Sequence, residues 1–160
     1  KHHQSVRSNS LDLTNFYGKV LRVNVDNNFP YSIPDDNPYI DDFYKKGEIF
    51  CYGLQNPRRF SFDKNTNELI ISDISQKSWQ EINWNNWENS KKASFGWNIT
   101  EGNHCVDQEE FCDTSGLVMP VYEYPSQVSY MQKLINMGSK MTYGCEVVGG
   151  YVYRLSLIHI

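Results

Sequence analysis

The sequence predicts an all-β fold, and three observations carry that prediction. Aromatic residues make up 14% of the 160 positions, with 11 Tyr and 8 Phe, a load that favours sheets over helical bundles. The apolar runs are short. Asn, Asp, Gly and Pro punctuate them as turns do.

Each run is justified in turn. Val20-Leu21-Arg22-Val23-Asn24-Val25 carries β-branched anchors and closes on Asp26-Asn27-Asn28. A polar loop follows, with Pro30, Pro34 and Pro38 among Asp35, Asp36, Asp41 and Asp42. Strands are predicted over Glu48–Tyr52, Arg59–Asp63 and Glu68–Ile74, the last two forming a hairpin through Lys64-Asn65-Thr66-Asn67. Trp79–Trp84, Val121–Tyr124 and Val147–Tyr153 complete the predicted strands, with Lys91-Lys92-Ala93-Ser94 as a loop. Tyr130–Met137 alone has helical character. Short antiparallel strands of this kind fit a sandwich, a barrel or a propeller.

Charge narrows the function classes. The net charge of −4 is spread along the chain, so no basic stripe points to nucleic acid. No run of 18 apolar residues occurs, which excludes a conventional helical membrane span. Cys105 and Cys112 share one polar loop; paired this way they predict a local disulfide and an oxidising compartment, hence a secreted, extracellular or periplasmic protein. Cys51 and Cys145 have no assignable partner from sequence. Neither a Cys-x-x-Cys nor a spaced His pair supports zinc. Asn98-Ile99-Thr100 is a glycosylation sequon, relevant where a eukaryote secretes the chain.

Six segments, in order, resemble one family. Gly18–Asp26 is similar to a "GKVLRIxVD" strand, and Pro30–Tyr39 to a "PYxIPxDNPF" loop. Cys51–Asp63 is similar to "YGLRNPWRFSFD". Asp73-Ile74-Ser75-Gln76 with Trp79-Gln80-Glu81-Ile82-Asn83 is similar to "DVGQ…WEEIN". Phe95–Asn98 with Glu101-Gly102 resembles "YGWNxxEG", and Gly149–Arg154 matches "GGYVYR". Together they resemble the glucose/sorbosone dehydrogenase family, which includes soluble sugar dehydrogenases and hedgehog-interacting-protein-like propellers.

The resemblance implies a segment of a six-bladed β-propeller. At roughly 40–50 residues per blade, about three to four blades are expected, too few to close a ring. Residues 1–154 are read as an incomplete propeller. Leu155-Ser156-Leu157-Ile158-His159-Ile160 departs from the pattern and is read as a non-native tail.

In active members the family implies pyrroloquinoline quinone (PQQ) with calcium, an aldose substrate, hydride transfer to the quinone and an external electron acceptor. Gln55 and Asn56 fall on its cofactor-binding Arg-Asn pair, so a neutral amide stands where the family has a fixed cation. Ser75 and Gln76 fall on its calcium-binding backbone oxygens, with Ser75 in place of Gly. The family's catalytic His has no counterpart here: His2 and His3 precede the recognisable region, His104 lies in the cysteine loop and His159 in the tail. The alternative implied by the same resemblance is a non-catalytic extracellular propeller with a protein ligand, or an inactive fragment. The carboxylates of Asp35, Asp36, Asp41, Asp42, Asp107, Glu109, Glu110 and Asp113 read as solvated loops. The four Trp (79, 84, 87, 97) read as packing between blades rather than sugar platforms.

Overall fold

The computed structural model describes residues 9–26, 29–75, 78–106, 111–126 and 147–154. Within them the strands are β1 (Val20–Leu21), β2 (Ile49–Cys51), β3 (Pro57–Asp63), β4 (Glu68–Asp73), β5 (Trp79–Asn86), β6 (Thr100–Glu101), β7 (His104–Cys105) and β8 (Tyr122–Pro125). The one helix among these residues is a single turn, α1 (Trp87–Ser90). β3, β4, β5 and β8 form a four-stranded antiparallel sheet in that order, while β1–β2 and β6–β7 are two-stranded ribbons. The all-β prediction stands, and one sheet reaches the four strands of a propeller blade.

Local chemistry explains the sheet's first half. Asp63 ends β3 and holds the turn: its carboxylate accepts from the Asn65 N–H at 3.0 Å and its carbonyl from the Asn67 N–H at 2.9 Å. Asn67 adopts a left-handed φ of 55°, which Asn tolerates better than most residues. The chain then returns in register as β4, and β4 pairs with β5 so that Asp73 faces Glu81 and Ile71 faces Asn83. Asn86 caps α1 by accepting from the Glu88 N–H.

The core lies between this sheet and the β1–β2 ribbon. Phe50, Cys51, Leu54, Leu69 and Ile71 are essentially inaccessible, and Val20, Ala93 and Phe95 join them. The Trp87 ring stacks on Phe50 at 4.0 Å and meets Phe62 edge-on at 5.4 Å. Cys51 is a buried thiol, its pKa pushed up to about 12 by burial. At Gly18 (φ +65°) any side chain would strike the Leu54 carbonyl; the Gly18 carbonyl in turn accepts from the Leu54 N–H at 3.1 Å. That close approach fixes the loop entering β3.

Two predicted strands come out differently. The run from Val20 to Val25 pairs as a strand only at Val20–Leu21. Beyond it the Asn37 side chain takes over, donating to the carbonyls of Arg22 at 2.8 Å and Gly47 at 2.9 Å. Asn24 then meets Ser32 as an isolated bridge. The run predicted at Val147–Tyr153 is irregular backbone. It lies across the sheet face instead of extending a ladder. Ser61 donates to the Gly150 carbonyl at 2.7 Å, and Arg154 pairs with Asp63. A crevice of about 240 Å³ opens beside it, lined by Arg59, Ile70, Ser72 and Ile82. Gln76, Cys145, the helical run Tyr130–Met137 and the tail 155–160 lie outside the described residues.

Candidate functional site

The residues singled out by motif converge where the loop after β2 passes the end of β4. Asp73, the last residue of β4 and only 3% exposed, makes the junction. Its two carboxylate oxygens accept from the backbone N–H groups of Gln55 (2.7 Å) and Asn56 (2.6 Å). The Ile74 N–H returns a bond to the Asn56 carbonyl at 3.2 Å. Gln55 is half-buried and Asn56 exposed. Sequence placed Gln55, Asn56 and Ser75 at one site, and Asp73 is the piece that ties their backbones together.

Two more buried carboxylates stand behind it. Glu81 faces Asp73 across the β4–β5 ladder and accepts from the Gly102 N–H and from the Asn83 amide. Glu101, on β6, accepts from the Ser75 hydroxyl and from the Ser78 N–H at 3.1 Å. Burial raises Asp73 to about 6, against the pull of its backbone donors. Burial, then the neighbouring Asp73 charge, raises Glu81 to about 8. Glu81 therefore holds its proton at neutral pH. Asp73, Glu81 and Glu101 each accept from neutral N–H or O–H groups.

Ser75 is the described member of the predicted calcium pair. Its carbonyl accepts from Gln80 Nε2 at 2.8 Å. Gln80 is wholly buried, and its Oε1 has no partner. The donors around Ser75 are oxygen-rich, as a hard cation prefers. Among the described residues no three His, Cys, Asp or Glu side chains group to hold a metal, and the Ser75 carbonyl is engaged by Gln80. Gln55 also bears on the PQQ expectation. A tricarboxylate needs fixed positive charge, whereas Gln55 is neutral and its backbone N–H is taken by the Asp73 carboxylate.

Motif reading missed Gln80, Glu81 and Glu101 as site residues, although each lies in a quoted motif; spacing alone does not show that they meet. Glu101 is followed by Gly102 (φ +63°), where any side chain would collide with Glu123. Beyond it the predicted Cys105–Cys112 disulfide is present. His104 packs flat on Trp79 at 4.1 Å, its Nε2 3.2 Å from a Glu123 oxygen. His104, beside the first cysteine of the bridge, is thereby docked against the sheet.

Residues 2–148 match the Glucose / Sorbosone dehydrogenase family. The HIPL1 protein of Arabidopsis thaliana is 28% identical over 151 residues, covering 86% of this chain and 21% of that protein. The aldose sugar dehydrogenase YliI of Escherichia coli (strain K12) is 30% identical over 91 residues, covering 57% of this chain and 22% of the enzyme. Mouse hedgehog-interacting protein is 38% identical over 63 residues, covering 38% of the chain and 9% of that protein. Among solved structures, the soluble aldose sugar dehydrogenase of Escherichia coli in the apo-form superposes with a TM-score of 0.59 at 25% identity, over 76% of this chain and 33% of that one. The chain thus spans about a fifth of HIPL1 and of YliI, about a tenth of hedgehog-interacting protein and a third of the solved enzyme. With a matching sheet architecture and nearly its whole length aligned, the chain belongs to the glucose/sorbosone dehydrogenase family.

Proposed function

We propose that this chain is the scaffold segment of a secreted propeller that binds a protein ligand and does not carry PQQ redox chemistry at this site. The observation that carries the reading is the junction itself. Gln55 is neutral where the cofactor needs a cation, and the buried carboxylates behind it are spent on holding backbone. Similarity to HIPL1 and to hedgehog-interacting protein supports the same reading. So does the disulfide, which belongs to an oxidising compartment. No helix among the described residues is long and apolar enough to cross a membrane.

The second reading is a soluble PQQ- and calcium-dependent dehydrogenase, oxidising aldoses by hydride transfer to the quinone and passing electrons to an external acceptor. Similarity to an aldose sugar dehydrogenase favours it. The two readings separate in one assay on the full-length protein, supplied with PQQ, calcium, an aldose and a reducible dye. The expected result is no sugar-dependent dye reduction. Gln55→Arg restores the missing charge, and a bidentate Arg–carboxylate pair is expected to tighten PQQ binding by about tenfold or more, since about 1.4 kcal/mol is a factor of ten. Sugar-dependent reduction by the unaltered protein would establish the dehydrogenase reading.

A further inference from the structure

Asn98-Ile99-Thr100 is the one Asn-x-Ser/Thr sequence in the 160 residues, and the junction at Asp73 makes no use of it. It lies on the turn that leads into β6. The Gly96 carbonyl accepts from the N–H groups of Ile99 (2.6 Å) and Thr100 (2.9 Å), which closes the turn. The turn is tied to the loop that carries Gln55. The Trp97 N–H donates to the Gly53 carbonyl at 2.8 Å, and the Ser10 hydroxyl donates to the Trp97 carbonyl at 2.6 Å. The two side chains that matter chemically are placed differently. The Asn98 amide has no hydrogen-bond partner among the described residues, yet neither of its polar atoms is a buried unpartnered one. Asn98 is half-buried, and its amide is satisfied by water, as an unpaired polar group requires. Thr100 is closed in, at 2% exposed.

We propose that Asn98 is an N-glycosylation site, filled during chain synthesis before the turn closes over Thr100. The step is a group transfer. The Asn98 Nδ2 bonds to the anomeric carbon of an oligosaccharide carried on a lipid diphosphate. The bond from that carbon to the diphosphate breaks, the lipid diphosphate leaves, and Nδ2 gives up a proton. The enzyme reads the Thr two places on, so Thr100 has to be reached before it is buried. The product is a solvated amide on a turn surface, where a bulky polar group is accommodated. The inference rests on export of the chain, as the proposed function has it. The Cys105–Cys112 bridge belongs to the same oxidising compartment, and relatives of the chain occur in Arabidopsis thaliana and mouse, both eukaryotes. The glycan stands on a turn bonded to Gly53, two places before Gln55, so a ligand that engages the Gln55 loop meets the glycan beside it.

The test is production of the full-length protein in cultured eukaryotic cells behind a supplied secretory leader, followed by mass spectrometry of the reduced peptide that carries Asn98. The expected result is a glycan at Asn98 in most copies, released by an amidase that leaves a heavy-oxygen-labelled aspartate at that position. Asn98→Gln is expected to lose this glycan and to melt within about 2 °C of the enzymatically deglycosylated parent, because the Asn98 amide holds no other group. An unmodified Asn98 in the secreted protein overturns the proposal. So does an Asn98→Gln that melts far below the deglycosylated parent, since the amide would then be structural. If Asn98→Gln is retained in the cell, the parent peptide alone decides. Bacterially made protein, offered to a purified oligosaccharyltransferase with its lipid-linked oligosaccharide, is expected to accept the glycan only after reduction and unfolding. Equal acceptance by the folded form overturns the order of events. The supplied leader routes the chain whatever its own signals, and the readout needs neither PQQ nor a protein ligand, so this inference and the proposed function fail separately.

Discussion

Asp73→Ala is expected to destabilise the fold by about 3–5 kcal/mol. The carboxylate accepts from two successive backbone N–H groups, of Gln55 and Asn56, and truncation leaves both without that partner in a part-buried place. Each orphaned donor costs about 1–3 kcal/mol. The loss is larger than a surface carboxylate would give because Asp73 joins two segments, the loop after β2 and the end of β4. Urea unfolding of the full-length protein reads the cost from the midpoint at constant slope. Asp73→Asn keeps an acceptor oxygen and is expected to fall between the two. An Asp73→Ala midpoint within about 0.5 kcal/mol of the parent, the range of ordinary surface changes, would mean that the junction does not hold the loop.

Glu81→Gln is expected to stabilise the protein, increasingly with pH. The folded-state pKa of Glu81 is raised from 4.5 to about 8, so the folded protein keeps a proton that the unfolded chain gives up. Stability from this group is therefore full below about pH 4.5 and is lost as pH rises through about 8. Gln carries no such proton. It keeps an oxygen for the Gly102 N–H, and the unpartnered Asn83 Oδ1 is available to its new N–H₂ after half a turn of the Asn83 amide. Each pKa unit corresponds to about 1.4 kcal/mol, so the gain above pH 8 reaches a few kcal/mol. Melting curves from pH 4 to pH 9 should show parent and variant nearly equal at the acid end and diverging upward. Parallel curves would contradict the assignment.

What the sequence disclosed follows from how local each feature is. The β3–β4 hairpin was readable because its determinants, Lys64 to Asn67, sit inside one turn. The cysteine bridge was readable for the same reason. The site was half readable. Motif order placed Gln55, Asn56 and Ser75 together, but the strand predicted over Trp79–Trp84 did not show that Gln80, Glu81 and Asn83 are enclosed. In the structure all three are buried, on an inner strand paired with β4 and β8. That pairing joins distant parts of the chain, and no short-range pattern reports it. The run ending in Gly149-Gly150-Tyr151-Val152-Tyr153-Arg154 has strand composition yet is held by Ser61 and Asp63 across the face of the sheet, so side-chain anchors outweigh β propensity there.

The central claim is that this part of the family scaffold is closed on itself, with Asp73 binding backbone and Gln80 occupying the Ser75 carbonyl. Calorimetric titration of PQQ into the full-length protein, with calcium present throughout, tests it most directly. The expected result is no saturable heat for the unaltered protein and a binding isotherm for Gln55→Arg. Saturable, calcium-dependent binding to the unaltered protein, indifferent to Gln55→Arg, would contradict it.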